Sequence, residues 1–406
     1  MKERKRRPFL LFLFLGPGML AAMAGNDAGG VISYTVTGAK FGWGVFVPMT
    51  LCLAFVTYTV QEMAMRLGVV SGRGYTRLLR ERYGAGWTAV QVAALFIENL
   101  LTLLTEFVGM SAGLQLLGLP LPAAVLLSMG FVVSVSALSG QRAKERFGLA
   151  VGLFNVVFLV FALRAHPAVT VQQSAALASG RPFLWYTAAL IGNAIAPWMI
   201  FYQNGAYADR GVETRHIRAG RADTLAGCVC QVLIASAFLV IGACVFGAVP
   251  DLESAGAPEL VAALNAKLGP AAGVLFALGL FDAGLLAAVT VSFSSSWSVA
   301  EAMGWSGGMS DTVRGAPGFY GVYLFSAGLA AAGSLVPCLR SNGVAVLVQV
   351  AGGVLMTPVL VFLTRLTSDR GVMGDYANSA GQKARAWLCV AALGAVTAFT
   401  VLEAVF

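Results

Sequence analysis

The stretch GPGMLAAMAGNDAGGVISYT (16–35) sets Asp27 inside an apolar run that three closely spaced glycines interrupt. A carboxylate is costly at membrane depth, so one kept there is expected to bind a cation as well as cap the helical segment that follows it. A second run, IGNAIAPWMIFYQNGAYADR (191–210), is apolar at both ends and carries Gly192, Asn193 and Pro197 in its middle. Proline lacks a backbone N–H and clashes with the preceding turn, which predicts a break near Ala196. At the first break the carbonyls near Ala24 end a half-helix, and their partial negative charge favours a cation beside Asp27. Glu106 is the next cation candidate, with a structural hydrogen-bonding role as its alternative, and Glu98, two turns before it, is placed to line the same aqueous path.

Other chemistries find little support. The six cysteines show no zinc-type spacing, and Cys228 and Cys230 point to different faces of one helix, so they are expected to pack as apolar residues. His166 and His216 fall near predicted helix ends, away from both breaks. No hydrolase motif or resident cofactor is expected, so the chain does not read as an enzyme.

The elements that position these groups are membrane spans. The chain is 58% hydrophobic and only 11% charged, unlike a soluble globule. Runs long enough to cross a hydrocarbon core predict spans at 9–36, 42–67, 88–117, 121–139, 147–165, 183–208, 223–248, 270–302, 317–338, 342–366 and 386–405. Helices are the form this takes, because the period-2 pattern of a barrel is absent. With the N-terminus inside, all of the 27 Lys and Arg but Lys40, Arg164, Arg181, Lys267 and Arg340 fall on the cytoplasmic side. The net charge of +8 then reports topology and contact with the lipid bilayer, with no nucleic-acid partner needed. An odd helix count puts the C-terminus outside the plasma membrane. A basic start followed by AAMA imitates a secretory signal, but the segment runs on through Asp27 into further apolar sequence.

Interrupted helices in corresponding places of two halves mark an inverted-repeat transporter. Residues 1–406 then form a single transmembrane domain, with helices 1–5 (9–166) as the first repeat, helices 6–10 (183–366) as the second, and the eleventh (386–405) added.

Along these motifs the chain resembles the Nramp divalent-metal transporters. GPGMLAAMAGNDAGG is similar to their first helix, whose break reads Asp-Pro-Gly-Asn, and QEMAMRLGVVSGRGYTRLLRERYG (61–84) to their second helix and the loop after it. TEFVGMSAGLQLLGLP (105–120) resembles their third helix, and VLVQVAGGVLMTP (346–358) with VMGDYANS (372–379) their tenth helix and the turn beyond. The resemblance implies an all-α polytopic membrane protein of the LeuT-type fold. It also implies that Gln349 contributes to the metal site, and that Asn193 stands where the family uses a backbone carbonyl.

The departures are specific. Asp27 keeps the aspartate, Ala28 replaces the proline and Gly30 replaces the metal-binding asparagine. Where the sixth helix of the family reads Met-Pro-His, this chain reads Ala196-Pro197-Trp198, and Leu103 stands in place of a third-helix aspartate, while Glu106 keeps the glutamate. A soft thioether and two proton-handling groups are thus missing. Ala196 and Gly30 are expected to widen the cavity unless Trp198 fills it, which suits Mg²⁺, a hard ion that keeps part of its water. This pattern resembles the Nramp-related magnesium transporters. The implied function is import of Mg²⁺, and also Mn²⁺, by alternating access without proton coupling, and a monomer is compatible with it. The alternatives are a proton-coupled Mn²⁺/Fe²⁺ carrier of the ordinary Nramp kind and an amino-acid symporter of the same fold. The symporter would be better served by a glycine-rich break without Asp27. Saturating flux would separate a carrier from a channel.

Overall fold

The computed structural model describes residues 16–138 and 140–405, the last three by their backbone only. The start of the first predicted span and the basic KERKRR run lie outside the described residues. Helices dominate, and the one β-bridge among the described residues joins Gly256 to Ser341.

Two helices are halves of the first span, α1 (Pro17–Ala24) and α2 (Ala28–Phe41), followed by α3 (Phe46–Ser71), α4 (Tyr75–Leu116) and α5 (Leu121–Ala137). Then α6 (Gln141–Gly152) runs through one 3₁₀ turn into α7 (Val157–Leu163), and α8 (Val171–Leu177) is a short surface piece. The second broken span is α9 (Gly180–Ala194) with α10 (Pro197–Asp209). The rest are α11 (Ile217–Ala243), α12 (Ala257–Leu268), α13 (Pro270–Met303), α14 (Pro317–Gly333), α15 (Asn342–Ser368), α16 (Arg370–Met373) and α17 (Ala380–Val405). Eight of the described helices, taken across such kinks, are long and apolar enough to cross a membrane. The protein is a polytopic α-helical membrane protein.

Some predicted bounds shift for local reasons. The third span starts earlier, at Tyr75, because an arginine-rich amphipathic segment precedes it and turns at Gly84 (φ 85°, ψ 172°). That left-handed conformation is open to glycine at little cost. The fifth span starts at Gln141, and the seventh at Ile217 rather than 223. The helix α12 was not expected; at 12 residues it is too short to span, and it carries Glu259 and Lys267 at its two ends.

Hydrogen bonds define the two ends of the bundle. At one end Arg77 N–H donates to Glu301, Arg82 pairs with Asp369, the Ser310 hydroxyl donates to Asp209, and Lys144 donates to Met309 C=O and the Tyr320 hydroxyl. There Arg66 is buried against Glu62 and donates to Tyr376 C=O and Asn378 Oδ1, each at 2.6 Å. At the other end Lys40 pairs with Glu253, which also accepts the Tyr186 hydroxyl, and Asn342 N–H donates to Ala255 C=O. The first end is rich in arginine and is the basic end of the bundle. In the interior α13 packs along α4, α9 along α15, and α11 against α1, α2 and α3.

Candidate metal site at two helix breaks

Asp27 is the N-cap of α2, in extended conformation (φ −66°, ψ 169°), and its Oδ1 accepts the Gly30 N–H. Serving as a cap satisfies one of the orphan donors of a helix start. A second carboxylate shares that duty: Glu106 Oε2 accepts the Ala28 N–H at 2.8 Å. Glu106 therefore holds the start of α2 and is a positioning group beside the break. Gln349 Nε2 donates to Asp27 Oδ1 at 3.3 Å, so α15 reaches the same carboxylate. Asp27 is 2% exposed and Gln349 4%, which encloses the site.

The end of α1 leaves the Ala24 carbonyl outside its capping bonds. The N–H groups of Gly25 and Asn26 return to the carbonyls of Ala21, Ala22 and Met23, and none of these bonds uses the Ala24 carbonyl. On the facing break, Ile195 (φ −141°, ψ 56°) and Ala196 (φ −65°, ψ 145°) leave the helix before Pro197 restarts it. Residue 197 has no N–H to give, so the Asn193 carbonyl loses the donor that a continuous helix would supply. The Ala194 carbonyl is taken, by Thr57 Oγ1 at 3.4 Å and Gln231 Nε2 at 3.2 Å.

Two glycines set the approach of these elements. At Gly192 an added Cβ would stand 1.9 Å from Gln349 O and 2.8 Å from Gly353 N, so only glycine lets α9 lie this close to α15. At Gly30 a Cβ would stand 2.3 Å from Asn193 Nδ2 and 2.6 Å from Oδ1. The room left by the missing side chain is filled by the Asn193 carboxamide, which corrects the expectation of an open space at Gly30. Both polar atoms of that carboxamide are buried without a hydrogen-bond partner. The pairing sets a carboxamide of α9 against the α2 backbone where residue 30 has no side chain.

Ala24, Asp27, Gly30, Asn193, Ala196 and Gln349 are thus gathered at two facing breaks, with Glu106 behind them. Trp198, one residue into α10 from Pro197, is fully buried, and Leu103 is likewise buried in the core. Three supporting residues carry no local signal in the sequence. Gln231 staples both breaks, donating to Ala194 C=O while its own backbone carbonyl accepts Asn26 Nδ2 at 3.1 Å. Met199 presses against Gly25, and its sulfur accepts Gln61 Nε2 at 3.7 Å. Asp223 accepts the N–H groups of Gly16, Gly18 and Met19 and the Tyr207 hydroxyl, fastening the start of α1 to α10 and α11. Their partners lie tens to hundreds of residues away, so no local pattern announces them.

The sequence profile described as natural resistance-associated macrophage protein-like matches residues 18–403, nearly the whole chain. The chain belongs to the Nramp family. Among its relatives is the divalent metal cation transporter MntH 1 of Pseudomonas aeruginosa, 26% identical over 399 residues, covering 93% of this chain and 88% of that one. The fold is similar to that of the Eremococcus coleocola manganese transporter, with a TM-score of 0.76 and 18% identity over 96% of this chain and 86% of that one. It is similar at lower level to MHP1, a nucleobase-cation-symport-1 family transporter, with a TM-score of 0.55 and 14% identity over 86% and 77% of the two chains. The Nramp chain described here therefore has the LeuT-type fold.

Proposed function

We propose that this Nramp protein carries divalent metal ions across the membrane by alternating access, taking Mg²⁺ and also Mn²⁺ at the two helix breaks. The observation that carries the reading is Asp27, a buried carboxylate at the junction of two half-helices that also meets Gln349. Its charge is matched by no arginine or lysine ion pair among the described residues. A carboxylate at membrane depth is costly, and a transported cation offsets that cost. The names of the relatives, a divalent metal cation transporter and a manganese transporter, support the same class of substrate.

Ligand type supports Mg²⁺ within that class. The Asp27 carboxylate, the Asn193 and Gln349 amides and the Ala24 and Asn193 carbonyls all offer oxygen. Ala196 offers none of the sulfur that favours softer metals. Mg²⁺ takes oxygen ligands at about 2.0–2.1 Å and keeps several waters, so few protein ligands suffice. Oxygen chemistry rather than width favours the ion, because Asn193 fills the space at Gly30.

Import in this reading needs no proton. Leu103 and Trp198 carry none, and Glu106 is engaged with the Ala28 N–H. Inside-negative potential favours entry of a divalent ion by about 4.6 kcal/mol per 100 mV, roughly three decades of concentration ratio. The arginine-rich end is assigned to the cytoplasm and the C-terminus to the outside of the plasma membrane. The two five-helix repeats, 9–166 and 183–366, are the bodies that rock about the site.

The test is uptake into proteoliposomes with Mg²⁺, Mn²⁺ and Ca²⁺ compared side by side. The reading expects saturable Mg²⁺ and Mn²⁺ uptake with Ca²⁺ disfavoured. Mn²⁺ uptake without Mg²⁺ uptake would return the protein to the ordinary Nramp substrates.

A further inference from the structure

Glu98 has no part in the site described so far. It lies on α4 two helical turns from Glu106, about 12 Å nearer the basic end, and it is 2% exposed. Its Oε1 accepts the Thr102 hydroxyl at 3.0 Å, and its Oε2 is buried with no hydrogen-bond partner. No ion pair among the described residues includes it. A carboxylate with a free oxygen, buried and without a cation, is expensive unless something visits it. Glu106 contrasts with it, since that carboxylate is spent on the Ala28 N–H.

The surroundings of Glu98 supply a second oxygen. On α15, a Cβ added to Gly352 would stand 3.4 Å from Glu98 Oε1 and 3.9 Å from the Gly192 carbonyl oxygen. The Glu98 carboxylate, through the Oε1 that accepts Thr102, and the Gly192 carbonyl oxygen therefore flank the same glycine gap. Ile195 leaves the helical path (φ −141°, ψ 56°), which draws the Ala196 N–H away from the Gly192 carbonyl it would meet in a continuous helix. Gly352 is about one helical turn beyond Gln349 along α15, again towards the basic end. Gln349 marks the depth of Asp27.

We propose that Glu98, with the Gly192 carbonyl, forms a second station for the divalent cation between Asp27 and the basic end. A partly hydrated ion needs only one or two protein oxygens beside its retained water. The ion leaving Asp27 exchanges that carboxylate for Glu98 without crossing an uncharged stretch of the bundle. The inference rests on Asp27 as the primary site.

Mn²⁺ is the probe, counted by electron paramagnetic resonance on the purified full chain, with uptake measured in proteoliposomes. Wild type is expected to bind two Mn²⁺ per chain at saturation, Asp27→Ala one, Glu98→Gln one, and the double variant none. Glu98→Gln keeps the shape and the acceptor for Thr102 but removes the charge. Its maximal uptake rate is expected to fall about tenfold, equivalent to about 1.4 kcal/mol, with little change in the half-saturating concentration. Its melting temperature is expected to match or exceed that of wild type, whereas a merely structural role would lower it. One Mn²⁺ per wild-type chain, lost in Asp27→Ala and kept in Glu98→Gln with wild-type uptake, overturns the second station and leaves Asp27 in place. Unchanged binding and uptake in Asp27→Ala would instead overturn the primary site on which the proposal stands.

Discussion

The contact between Gly30 and Asn193 is a sharp place to perturb the site. An added Cβ at residue 30 would stand 2.3 Å from Asn193 Nδ2, 2.6 Å from Oδ1 and 2.8 Å from Cγ. Each is well inside van der Waals contact, and Asn193 is 1% exposed, so the carboxamide has nowhere free to go. Overpacking of this kind costs about 1–3 kcal/mol, and Gly30→Ala should lose that much stability. In an Asn193→Ala background the obstacle is gone and Gly30→Ala should cost close to nothing. The double-mutant cycle should therefore give a coupling of about 1–3 kcal/mol, within the range found for residues in contact. Metal affinity should follow a different rule, because it depends on the oxygen rather than on the fit. Asn193→Ala should weaken Mn²⁺ binding by about tenfold or more, the loss of about 1.4 kcal/mol. Gly30→Asn combined with Asn193→Ala should recover much of it by returning the amide to α2. Thermal unfolding in detergent without metal measures the first quantity, and Mn²⁺ titration the second. An equal cost of Gly30→Ala with Asn193 present or removed would refute the packing contact, and an exchanged double variant that binds no better than Asn193→Ala would refute Asn193 as a ligand.

Three other outcomes follow from the same geometry. Ala196→Met adds a thioether at the second break, so uptake should shift away from Mg²⁺ towards Mn²⁺ and Cd²⁺; unchanged Mg²⁺ uptake and Cd²⁺ affinity would contradict the oxygen-only site. A pH-sensitive dye trapped in proteoliposomes at clamped potential should report no acidification during Mg²⁺ uptake. Acidification that tracks added metal and disappears in Glu106→Gln would make that residue a proton carrier. At the end opposite the basic one, the hydrogen bond from the Lys40 ammonium, helped by Tyr186, holds the Glu253 carboxyl below the usual glutamate range. A carboxyl depressed on folding contributes stability above its unfolded pKa and loses it as pH falls through the folded one. The melting-temperature gap between wild type and Glu253→Gln should therefore be present at pH 7 and close only below the ordinary glutamate range, and a gap constant with pH would refute the clasp.

Much of this fold is written in the sequence because membrane spans follow from hydropathy, which is local. Both breaks were legible for the same reason: Pro197 removes a donor, and the glycines around Asp27 interrupt an apolar run. Asp27 itself was legible because lipid makes a buried charge stand out. What the chain does with its other carboxylates was not. Glu106 and Glu98 look alike on one helix, and only the meeting of α4 with the start of α2 commits the first to the Ala28 N–H. The filling of Gly30 by Asn193 was hidden likewise, since the residues are far apart in sequence and the exchange is visible only across the two breaks. Asp223 could not be assigned from its neighbours at all, because its partners at Gly16 and Gly18 lie 207 and 205 residues away. Helix α12 was missed because 12 residues give no membrane signal.

The central claim is that Asp27 binds the transported ion, and uptake by Asp27→Ala tests it most directly. Alanine keeps the backbone but removes the carboxylate that caps α2 and meets Gln349, and leaves Glu106 on the Ala28 N–H. Proteoliposomes holding equal amounts of folded wild type and variant, at one clamped inside-negative potential, should show saturable Mg²⁺ and Mn²⁺ uptake for wild type and background leak for the variant. Wild-type uptake by a folded Asp27→Ala protein would contradict the account and place the ion elsewhere.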